Sequence, residues 1–112
     1  MVISFLNKKI REVCENIESA NEYLDPNVIQ ILNNRLSDFE SANNLSEIPT
    51  GNIEELREEK NNYFTIELIK NYKLIFVNNC INLDESNYLE WVKITRIKIT
   101  DIHNENRISI FT

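Results

Sequence analysis

A chain of 112 residues, 42% hydrophobic and 27% charged, has the composition of one folded domain spanning residues 1–112, and neither a disordered nor a membrane composition. Its single glycine, Gly51, excludes the glycine-rich phosphate loops of nucleotide-binding folds, and one histidine with two cysteines outside any C-x-x-C spacing argues against a zinc site. The net charge of −6 opposes phosphate binding, but residues 1–51 hold four basic and eight acidic groups against eight and ten in residues 52–112, so the acid excess lies mostly in the first half.

Met1 to Leu6 is apolar and short enough to be a first strand, and too short for the hydrophobic region of a signal peptide. With no apolar run near the ~20 residues that a membrane span needs, the expected location is cytoplasmic and the expected cysteines are reduced. Ile10, Val13, Cys14 and Ile17 then recur at i, i+3, i+4 and i+7, which predicts a helix running on to about Leu24. Asp25-Pro26 reads as a second helix start, with Asp25 as cap and Pro26 at the first helical position. Ile29, Leu32, Leu36 and Phe39 continue that helix to about Ala42, which completes a helical hairpin.

After the loop over 44–52 the period changes to two. Ile53 to Leu56 is a candidate short strand. Tyr63 to Ile69 places Phe64, Ile66 and Leu68 on one face, Asn71 marks a tight turn, and Tyr72 to Val77 reads as the paired strand. Asn78 through Asn87 is a polar loop that includes Cys80. Trp91 to Ile102 predicts a longer strand whose apolar phase slips between Ile94 and Ile97, the mark of a β-bulge, and Arg107 to Phe111 alternates like an edge strand. Helices followed by strands give an α+β fold: two N-terminal helices on one face of a mostly antiparallel sheet of about four strands.

The chemistry-bearing residues gather in the second half. Asp101 and His103, two apart on a strand, point to the same face, where a carboxylate could orient the imidazole. Lys93, Arg96 and Lys98 give the last strand a basic character. Tyr63, Tyr72 and Trp91 could stack on bases, although packing is the more ordinary duty for Tyr63 and Trp91. The Glu54, Glu55, Glu58 and Glu59 run, interleaved with Arg57 and Lys60, reads as a solvated, locally ion-paired segment.

Several stretches resemble the RelE/HigB toxins. They are Ile3-Ser4-Phe5 with Lys8-Lys9; Ile31 to Leu36 and Ala42 to Ile48; Leu56 to Ile66; Asn71 to Phe76; and Ile97 to His103, which is similar to a terminal strand ending in Asp-Tyr-His. Their order and spacing, more than any single motif, carry the likeness. The resemblance implies a RelE-like fold and a helix-turn-helix (HigA-like) antitoxin as partner. It also implies ribosome-dependent mRNA cleavage by attack of a 2′-hydroxyl on the adjacent phosphate, with neither metal nor other cofactor. It makes His103 the general acid/base, with Asp101 beside it. Lys73 stands where the family has a phosphate-contacting arginine, Lys60 (or Arg57) is the basic residue ahead of the aromatic strand, and Ile102 stands where a tyrosine is usual. Arg57, Lys93, Arg96, Lys98 and Tyr72 are the further RNA-binding candidates. Two other functions compete: a non-catalytic binding module on the same fold, such as a degenerate toxin or a ParE-like topoisomerase inhibitor, and an interaction protein with no toxin role.

Overall fold

The structure is a computed structural model that describes residues 1–58, 61–80 and 91–112. Strand β1 (Val2–Phe5) leads into helix α1 (Lys8–Glu15), which Asn7 caps by accepting the Ile10 amide at 3.0 Å. The long first helix expected from apolar spacing is two helices. At Asn16 the backbone turns extended (φ −124°, ψ 118°), and the side-chain oxygen accepts the amides of Glu18 and Ser19 to start α2 (Ile17–Asn21). A short amide side chain that can bond the following backbone offers an alternative to continued helix. The bend takes Ile17 off the stripe: it is 66% exposed, while Ile10, Val13 and Cys14 stay buried.

Helix α3 (Pro26–Ser41) begins with proline at its first turn, as expected, but Asp25 makes no side-chain cap bond. Its carboxylate stands 3.3 Å from Lys70 Nζ instead. Val28, Ile29, Leu32, Leu36 and Phe39 are the buried stripe of α3. A 3-10 turn at Leu45–Glu47 follows.

The remaining strands are β2 (Glu54–Glu58), β3 (Asn61–Glu67), β4 (Lys73–Asn78) and β5 (Arg96–His103), in the sheet order β1-β5-β4-β3-β2. Only β1, which is parallel to β5, departs from antiparallel pairing. The chain is therefore α+β, with three helices and a five-stranded sheet among the described residues, where two helices and about four strands were expected. Phe64, Ile66, Leu74, Phe76, Ile97, Ile99 and Ile102, each 2% exposed or less, join the helical stripes in one core. Phe76 links the layers, with its ring 5.1 Å from Phe39 on α3 and 5.4 Å from Phe64 on β3. No described helix is long and apolar enough to cross a membrane.

Three expectations about the C-terminal half are corrected. Trp91–Lys93 is a 3-10 turn and the strand starts only at Arg96, so the phase slip near Ile94 is the turn entering the strand. The bulge lies later: Phe76 pairs with Ile99 but Ile75 pairs with Asp101, leaving Thr100 as the extra residue. The tail forms no edge strand. It turns back at Asn104 and meets β5 through a single His103–Ser109 bridge, with the Ile110 amide donating to the Ile102 carbonyl at 2.9 Å. The tail thereby covers the flank of β5 beyond the point where β1 leaves it, at the Leu6 amide bonded to the Ile99 carbonyl. Of the expected 78–87 loop, residues 81–87 lie outside the described residues.

Candidate functional site

Side chains directly opposite in a ladder share a face, so the registers sort the sheet into a core face and an open face. Lys73 on β4 is the direct partner of His103 on β5, and Ile75 is that of Asp101. The bulge at Thr100 returns Ile102 to the core face, at 0% exposure, and leaves Asp101 and His103 together on the open face. Position 102 thus points into the core, which suits the isoleucine found there. A cleft of about 550 Å³ opens here. Its walls include Lys73, His103 and Arg107, together with Glu54, Glu105, Tyr63 and Asn71.

Asp101 is the best-anchored group of the site. Its Oδ1 accepts the Ile102 amide at 2.8 Å and the Ser109 hydroxyl at 2.6 Å, and its Oδ2 lies 3.3 Å from His103 Nε2. Both side chains are about two-thirds covered, at 33% exposure for His103 and 28% for Asp101. Partial desolvation of this kind strengthens a charge–imidazole contact relative to one in open water. Lys73 makes no ion pair with any described residue and lines the cleft. The Tyr63 phenol donates to Glu58 Oε1 at 3.3 Å, and partial burial, then the Glu58 charge and that hydrogen bond, push its ionisation upward.

The other candidate residues scatter. Arg57 pairs with Asn62 on the side of β2 that faces away from this cleft, 3.8 Å from Glu55. Tyr72 packs against the core, and Trp91 meets Phe64 edge-on at 5.9 Å, so neither ring is a free stacking platform over the cleft. Arg96 and Lys98 share the open face of β5 but sit toward its other end, where Lys98 is beside Val77 and Ser4. At ~3.3 Å per residue, Lys98 is roughly 15 Å along the strand from His103. Lys93 lies in the 3-10 turn beyond that end, its carbonyl 3.7 Å from Cys80 Sγ. Lys60 lies outside the described residues.

Two residues of the site were missed from the sequence. Arg107 lines the cleft because the backbone reverses over 104–107, with Arg107 itself at φ +64°. Ser109 reaches Asp101 for the same reason. The signal was present in Asn104-Glu105-Asn106: Asn104 Oδ1 accepts the amides of Asn106 and Ile108, a side-chain-closed turn that folds 107–109 back beside 101–103. Among the described residues no group of three or more His, Cys, Asp and Glu side chains is placed to hold a metal ion. Compared with family models, with curated proteins and with solved structures, the chain matches none.

Proposed function

We propose that this chain is a RelE-like toxin that cuts mRNA on the ribosome, with His103 as the base, and that a helix-turn-helix antitoxin neutralises it. The observation that carries this reading is the meeting of Lys73, His103, Asp101 and Arg107 at one end of the open sheet face. Cleavage by a 2′-hydroxyl needs a base for that proton and cations near the phosphate as negative charge builds on its oxygens. His103 takes the proton. The new 2′-oxygen–phosphorus bond closes a cyclic phosphate, and the 5′-oxygen leaves with a proton from solvent. Lys73 is a point charge for the phosphate, and the planar fork of Arg107 supplies the bidentate geometry that a lysine at position 73 lacks. Asp101 holds the imidazole.

A second reading draws on Glu54 and Glu105, which line the same cleft. Two carboxylates there, on a chain of net charge −6, weaken the pull on RNA and favour a binding module that cuts poorly or not at all. Mapping of mRNA 5′ ends in a translating extract separates the two. The nuclease reading expects cleavage that needs ribosomes and disappears in His103→Ala. No cleavage by the wild type, or an identical pattern from His103→Ala, rejects it.

A further inference from the structure

We propose that Ser109 is a positioning residue. Its hydroxyl locks Asp101 so that neutral His103 keeps its proton on Nε2, toward the carboxylate, and turns Nδ1 to the cleft as the basic atom. The inference rests on the reading of His103 as base, and it specifies which nitrogen acts and what holds it there.

The tail fixes the direction of the Ser109 hydroxyl. Ser109 Oγ accepts the Phe111 amide at 3.2 Å, which occupies an oxygen lone pair and leaves the hydroxyl proton for Asp101 Oδ1, 2.6 Å away. That short distance is typical of a hydroxyl donating to a carboxylate. Oδ1 also takes the Ile102 amide, so one of its donors is a backbone amide and the other a side-chain hydroxyl oriented by the Phe111 amide. Oδ2 is left for the ring, with His103 Nε2 at 3.3 Å. A carboxylate fixed against one imidazole nitrogen selects the tautomer that carries the proton on that nitrogen. Nδ1 has no partner among the described residues. The backbone enforces the arrangement twice: the bulge at Thr100 puts Asp101 and His103 on one face, and the His103–Ser109 bridge brings the serine alongside. Without the hydroxyl, Asp101 loses one of the two bonds that hold its plane, and the ring is free to rotate.

Because His103 is the only histidine, its ring nitrogens are read directly by NMR in the full-length protein, with no RNA present. At pH 9 the wild type is expected to show an Nε2 shift of the protonated type and an Nδ1 shift of the unprotonated type. In Ser109→Ala and in Asp101→Asn the two shifts should move toward each other, and Ser109→Thr, which keeps a hydroxyl, should retain the wild-type pattern. In the cleavage assay Ser109→Ala should lower kcat roughly 10-fold with KM unchanged. Ser109→Val, the size of threonine without its hydroxyl, stands in if the alanine variant does not fold. Unchanged ring shifts in Ser109→Ala or Ser109→Val overturn the proposal, as does an Nδ1-protonated wild type. The NMR result stands apart from catalysis: the expected shifts with no RNA cut would reject the nuclease reading and keep the positioning role, and cleavage with unchanged shifts would do the reverse.

Discussion

Replacing Gly51 with alanine tests how the loop before β2 is pinned to the core. Gly51 has φ +109°, a conformation that L side chains rarely adopt, and a Cβ built there would lie 2.4 Å from Ile66 Cγ1 and 2.7 Å from Ile66 Cδ1. Ile66 is fully buried, and the Gly51 carbonyl accepts the Glu67 amide at 2.7 Å, so neither side yields easily. Arg35 closes the same corner by donating from Nε to the Glu67 carbonyl at 3.0 Å. Backbone strain costs about 1–3 kcal/mol and overpacking a similar amount, while the stiffer unfolded chain returns about 0.4–1 kcal/mol. The net loss is then about 3 kcal/mol. At ~0.05–0.15 kcal/mol per residue, a chain of 112 residues has roughly 6–17 kcal/mol in all, so the variant folds but melts ~12 °C lower. Urea unfolding followed by circular dichroism measures the loss. A double-mutant cycle assigns it, because Ile66→Ala removes both clashing carbons and should reduce the cost of Gly51→Ala by about 1–3 kcal/mol. A Gly51→Ala midpoint within ~0.5 kcal/mol of wild type, or no coupling to Ile66, would refute this account.

On the proposed nuclease reading, Arg107→Asn should reduce cleavage by ~10²-fold with the urea midpoint unchanged, since asparagine tolerates the φ of +64° at this position but brings no charge; cleavage at the wild-type rate would take Arg107 out of the proposed phosphate site. The two thiols should differ in reactivity at pH 8. Burial, then the Glu15 charge, pushes Cys14 up to about 12, whereas at Cys80 the contacts with Thr95 and Arg96 outweigh the upward push of partial burial and lower its value. A disulfide reagent should therefore label one thiol in the folded chain, and that labelling should vanish in Cys80→Ser. For stability the sign follows from proton counting. Between pH 9 and about 12 the unfolded chain has lost the Cys14 proton and the folded chain keeps it, so stability falls as pH rises, by up to ~1.4 kcal/mol per pH unit. Cys14→Ala should flatten that part of the profile, and identical slopes in variant and wild type would contradict it.

Much of the architecture was legible because it depends on local spacing. The stripe Ile29, Leu32, Leu36, Phe39 gave α3, and the alternation through Phe64 and Ile66 gave β3. What failed depends on competition between nearby groups. The apolar period ran through Asn16 without a break, because hydrophobicity says nothing about an amide that can bond the next turn's N–H groups. The bulge was sensed but misplaced: the irregularity at Ile94 is a 3-10 turn, while the true insertion at Thr100 shows only as the spacing from Ile99 to Ile102.

The sequence by itself determined which side of α3, β3 and β4 is buried, and that Asp101 and His103 share a face, since alternation is a property of the strand alone. Tertiary structure decided their neighbours. Lys73 stands opposite His103 only because β4 pairs with β5 in this register, and Arg57 faces away because β2 pairs with β3 in its own. Arg107 and Ser109 join the site through the reversal at Asn104, a turn that this residue's own side chain closes locally, whereas the strand that the returning tail meets is decided by the fold. Pairing between segments distant in the chain is set by how the whole core packs, and no local pattern records it.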